Sequence, residues 1–63
     1  MNKNELKARI ERLRDNAKKR SVEYDKLYEI NKSKHTLANA EYQAGATMAL
    51  ERVLELLELL KED

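Results

Sequence analysis

Apolar residues recur along the first half of the chain at alternating intervals of four and three. Leu6, Ile10, Leu13, Ala17, Arg20, Tyr24 and Leu27 trace a heptad seam, with Ile10, Ala17 and Tyr24 at a and Leu6, Leu13 and Leu27 at d. Arg20 interrupts the seam at one d position, and Tyr28 and Ile30 widen the stripe near its end. Asn2 followed by Glu5 has the form of an N-cap with an acidic residue three positions on, a variant of the capping box. The pattern predicts a helix over about residues 3–31.

The periodicity then fails. The run from Asn31 to Thr36 holds no apolar residue and is rich in types that favour turns and caps. Ser33 or Thr36 could cap a second helix, although no glycine marks a left-handed turn. A short loop over about residues 32–36 is the preferred reading, and one uninterrupted helix is the alternative. Apolar spacing resumes over about residues 37–61. With Asn39, Ala46, Val53 and Leu60 at a, Tyr42, Ala49 and Leu56 fall at d, Leu50 and Leu57 at e, Leu59 at g and Leu54 at b. The c and f positions hold Glu41, Glu51, Glu55, Glu58 and Glu62. This helix has a narrow acidic back and an apolar arc too wide for one partner helix to cover. Such helices are buried on two sides, in bundles.

The expected fold is all-α: one domain, residues 1–63, in which two long helices form an antiparallel hairpin. Each arm would extend about 39 Å. A central turn sets Leu13 level with Leu54, Ile10 with Leu57 and Ala17 with Leu50. It also sets Arg12 level with Glu55 and Arg9 with Glu58, and brings Tyr24 and Tyr28 over the small cluster Ala38, Ala40, Ala44, Gly45 and Ala46. One hairpin of this size has a marginal core. The surplus leucine surface therefore predicts a homodimer or larger assembly, a four-helix bundle with Leu50, Val53, Leu54, Leu57 and Leu60 at the interface. The competing arrangement is a parallel coiled coil of continuous helices about 90 Å long.

Composition agrees with helix. Proline is absent, Gly45 is the single glycine, and Leu, Glu, Lys, Arg and Ala dominate. A chain of 63 residues without cysteine has no room for a nucleotide-binding fold and no disulfide framework, thiolate site or thiol nucleophile. His35, the one histidine, has no companion at ligand spacing, so neither a metal nor a cofactor is expected. The carboxylates lie at helical spacing on polar faces, and Ser21 and Ser33 lack an activating base. A non-enzymatic protein is expected. No apolar run approaches membrane-spanning length, and the opening residues lack the apolar core of a secretory signal. A cytoplasmic protein without membrane contact is the corresponding expectation.

The formal net charge of +1 conceals a division. Residues 1–35 carry eleven basic and six acidic side chains, net +5, and residues 36–63 carry two basic and six acidic ones, net −4. A basic arm folding back on an acidic arm accounts for this. The alternative is contact with nucleic acid through Arg9, Arg12, Lys19 and Lys26, a stripe along the first helix. Gly45 costs about 1 kcal/mol relative to alanine inside a helix, which suggests a close approach of another backbone or ring there. The stretch Ala44-Gly45-Ala46-Thr47 could serve close packing between helices, or form a notch for a ligand together with Asn39.

The segment from Glu41-Tyr42-Gln43-Ala44-Gly45-Ala46-Thr47-Met48-Ala49-Leu50 to Leu57, set in a short hairpin free of cysteine and proline, resembles the closing helix of very small phage and prophage proteins of bacteria. That resemblance implies an accessory protein acting by binding. Such proteins include inhibitors of host defence nucleases, sponges for signal nucleotides, and partners of transcription or replication machinery. The combined expectation is a homo-oligomeric helical protein that works by protein–protein interaction, as a phage-type inhibitor or regulator of a host protein. Nucleic-acid binding and a signal-nucleotide sponge are the alternatives.

Overall fold

Asn2 begins the first helix. Its side-chain oxygen accepts the Glu5 backbone N–H at 2.9 Å, and its amide donates to the Glu5 carboxylate at 3.2 Å. One of the backbone N–H groups that a helix start leaves unpaired is thereby satisfied, and the second bond holds the two side chains together. In the computed structural model, which describes residues 1–60, helix α1 runs over Lys3–Asn31 and helix α2 over Lys34–Leu59. They lie antiparallel as a hairpin with extents of 51 × 15 × 12 Å. The continuous-helix alternative is thereby excluded. The last expected helical residue, Lys61, lies outside the described residues.

The turn is shorter than the sequence suggests, because a lysine takes the conformation that glycine usually supplies. Lys32 adopts the left-handed region at φ 52° and ψ 25°, and its N–H donates to the Tyr28 carbonyl at 2.8 Å. Its ammonium lies 5.3 Å from the centre of the Tyr28 ring, within cation–π range. Ser33 caps α2, accepting the His35 N–H at 3.2 Å. Asn31 ties the two ends together. Its side-chain Oδ1 accepts the Ser33 N–H at 2.9 Å, while its side-chain amide donates to the hydroxyl of buried Thr36 at 3.1 Å. Thr36 is thus a satisfied part of the turn and the first seam residue of α2.

The helices meet along one heptad seam. On α1 it comprises Lys7, Ile10, Arg14, Ala17, Ser21, Tyr24 and Tyr28, and on α2 Thr36, Ala40, Gln43, Thr47, Leu50, Leu54 and Leu57. Ile10, Ala17, Ala40 and Leu57 are its buried apolar members. Half the predicted α1 seam is therefore in place, Ile10, Ala17 and Tyr24, and the other half is displaced by one residue. Leu6, Leu13 and Leu27 are exposed, and Lys7, Arg14 and Ser21 take the inner positions. The line Ile10–Ala17–Tyr24 has two flanks, and a single partner helix covers one of them. The covered flank is lined by side chains that let α2 come close: a serine, and two long aliphatic stems whose charged heads reach out. The Arg14 head pairs with Asp15 at 3.0 Å.

The expected ion pairs shift in the same direction. Arg9 and Arg12 do not meet Glu58 and Glu55. Instead Lys7 bonds Glu58 at 2.7 Å, and Glu55 is near Arg52 of its own helix at 3.9 Å. The Lys7 ammonium is held above its ordinary value by the hydrogen bond and charge of Glu58, and Glu58 is lowered by the same two effects of Lys7. At the open end of the hairpin the Lys3 ammonium donates to the Leu60 carbonyl at 2.8 Å. It supplies the cation that the C-terminus of α2 lacks in its own last turn.

Candidate interaction surface

The displaced seam determines what the hairpin shows outward. On α1, Leu6, Leu13 and Leu27 flank the buried line on one side. On α2, Val53 and Leu60 flank Leu57 on the corresponding side, with Leu56 and Tyr42 beyond them. All of these are exposed, Leu13 at 57% and Leu56 at 56% of full accessibility. The two flanks lie on the same face. At the open end they form a shallow groove bounded by Leu6, Ile10, Val53, Leu56, Leu57, Leu59 and Leu60, with no polar side chain among them. The opposite face is different in kind. Helical spacing from the seam places Glu11, Asp15 and Asp25 of α1 there, beside Glu41, Glu51, Glu55 and Glu58 of α2.

The expected interface residues divide between these surfaces. Leu50, Leu54 and Leu57 go into the hairpin's own seam, and Leu57 is 6% exposed. Val53 and Leu60 remain outward, joined by Leu6, Leu13, Leu56 and Leu59. Leu50, Leu54 and Leu57 take these places because the arc of α2 must first serve α1. No sequence signal separates the outward set, since Leu56 and Leu60 occupy d and a of the α2 heptad, the positions that on α1 read as the seam.

Arg9, Arg12, Lys19 and Lys26 are all exposed. Arg12, Lys19 and Lys26 follow one another at heptad spacing on the side of α1 turned from α2. Among the described residues none of the four enters an ion pair. Arg9 and Arg12 border an open depression with Leu13 and Asn16. The charge division between the arms is therefore little used inside the hairpin, where Lys7–Glu58 is the one ion pair crossing between helices among the described residues.

Gly45 is exposed, and a Cβ built on it would meet nothing within 4 Å. Among the described residues no ring or backbone approaches it. The small residue that does accommodate close packing within the hairpin is Ala40, 3% exposed. Thr47, expected to offer a polar group beside Gly45, turns its hydroxyl to the Gln43 carbonyl at 2.9 Å. Among the described residues no group of three or more His, Cys, Asp or Glu side chains converges as a metal site. No described helix is long and apolar enough to cross a membrane. Comparison of the chain with protein-family models, curated proteins and solved structures gave no match.

Proposed function

We propose that this chain is a non-enzymatic, self-associating helical protein that acts by protein–protein contact. The observation carrying this reading is the apolar face that runs across both helices. Monomeric proteins seldom leave a contiguous aliphatic surface open, and such a surface marks an interaction site. Here Leu6, Leu13, Val53, Leu56 and Leu60 are all exposed while lysine and arginine stems fill part of the internal seam. The resemblance of α2 to the closing helix of small phage proteins supports the class of inhibitor or regulator of a host protein. In that role the charged surfaces left outside the assembly would meet the target. The test is sedimentation of the intact chain against Leu13→Asp and Leu56→Asp variants. The parent should sediment as more than one chain and the variants as one, and an unchanged sedimentation coefficient would refute the proposal. Leu54 and Leu57 are unsuitable for this test, because aspartate there would open the hairpin itself.

A second reading has an observation of its own. The exposed set Arg9, Arg12, Lys19 and Lys26, without ion pairs among the described residues, is a surface that could neutralise phosphates. Binding to duplex DNA would then weaken steeply between low and moderate salt and be lost on reversing Arg12 and Lys19 to glutamate. Affinity indifferent to both excludes this reading.

A further inference from the structure

The uneven make-up of the apolar face bears on how a second copy would sit, given the proposal above that this face is a contact surface. We infer that two copies pair face to face with both turns at the same end. In this arrangement α1 of each protomer lies beside α2 of the other, around a two-fold axis parallel to the helices. The opposite arrangement, with turns at opposite ends, would set α1 beside the partner's α1 and α2 beside its α2.

The size of the face suits a second copy. The hairpin is 51 Å long and 15 Å wide, so one whole side of it is on the order of the roughly 800 Å² that each partner contributes to a standard interface. Its large aliphatic side chains are unevenly placed along that length. Leu6, Leu13, Val53, Leu56 and Leu60 lie toward the open end, whereas Arg20, Ala46 and Ala49 occupy the middle and Leu27, Asn39 and Tyr42 lie toward the turn, Leu27 being the one large aliphatic side chain of the set there. With turns together, each leucine groove covers the other. With turns apart, the α2 side of each groove would meet Asn39 and Tyr42, and Leu27 alone would answer it on the α1 side.

Arg20 makes the same choice at mid-length. Beside the partner's α2 it would lie over Ala46 and Ala49, which leave room for its stem to run outward. Beside the partner's α1 it would stand over Leu13. Charge agrees. Residues 1–35 are net +5 and residues 36–63 net −4, and one ion pair crosses between the helices within the described hairpin. Packed helices are about 8–10 Å apart, close to the physiological screening length of about 8 Å. Neighbouring helices of opposite sign are therefore favoured, and like-charged helices are kept on the diagonal.

The chain has no cysteine, so a single introduced thiol carries a unique spin label. Lys34→Cys marks the turn end and Ala8→Cys the open end, both at exposed positions. Each labelled protein is first sedimented, then measured by double electron–electron resonance. The inference expects a mass of two chains and label separations below about 30 Å at both positions, given the helix spacing of a bundle. Two-chain mass with a Lys34 separation near the 51 Å hairpin length overturns the orientation and leaves self-association standing. A one-chain mass overturns both, and a mass above two chains overturns the two-fold pair.

Discussion

Gly45 stands in the interior of α2 with open space where a side chain would begin. Within the chain it has only the conformational cost of glycine in a helix. Gly45→Ala should therefore raise stability by up to about 1 kcal/mol, seen as a higher melting temperature by circular dichroism. A lowered melting temperature would show that another chain passes close by. Lys7 and Glu58 make the opposite kind of contact, a close pair of half-exposed groups whose net effect is small but whose titration is readable. Glu58 titrates below its ordinary value of 4.5, so its contribution is full above that value and is lost as pH falls through the lowered one. Lys7 titrates above its ordinary value of 10.5, so its contribution is full below 10.5 and is lost as pH rises through the raised value. In Lys7→Ala the Glu58 carboxyl resonance should titrate closer to 4.5. A Glu58 titration unmoved by that substitution would mean that the pair does not form in solution.

At the scale of the helices, neighbouring leucines have different duties. Leu57 is buried against α1 and Leu56 points away from it, 6% against 56% exposed. Leu57→Ala should cost about 2–5 kcal/mol, the range for a buried leucine, measured by urea unfolding. Leu56→Ala should cost no more than about 0.5 kcal/mol in a hairpin standing alone, and any further loss measures what covers the outer face. This difference is not legible in the sequence, and the reason is geometric. The period gives the width of an apolar arc but not which edge of it a single partner covers. The edge depends on which flank allows the helix axes to approach, and Ser21, Ala17 and Ala40 do so where Leu13 would not. The start of α1 is legible because Asn2 and Glu5 interact locally. The turn is legible except for Lys32, whose left-handed backbone has no signature in a lysine. The heptad of α2 puts Val53 and Leu60 in one expected interface with Leu50, Leu54 and Leu57 and does not divide the two groups, and the spacing of Leu6 and Leu13 alone points to the inner seam.

For the whole molecule, the balance between burial and order decides what can be stable. Ordering one residue of backbone costs about 1–2 kcal/mol, and the buried apolar set among the described residues is Ile10, Ala17, Ala40 and Leu57, two of them alanines. A core of that size leaves little margin for a free hairpin, while the leucines of the outer face contribute nothing until they are covered. If the second copy covers them, folding and association are one equilibrium. Stability then grows with the amount of protein, as for any state that binds its partner only when folded. Each tenfold rise in concentration adds about 1.4 kcal/mol per dimer. Spread over the unfolding entropy of two chains, that is about 5 °C in melting temperature. Circular dichroism melts over a hundredfold range of concentration should therefore shift upward by about 10 °C. A melting temperature independent of concentration would show that the hairpin's own seam, despite its lysine, arginine and serine, is sufficient to hold the fold.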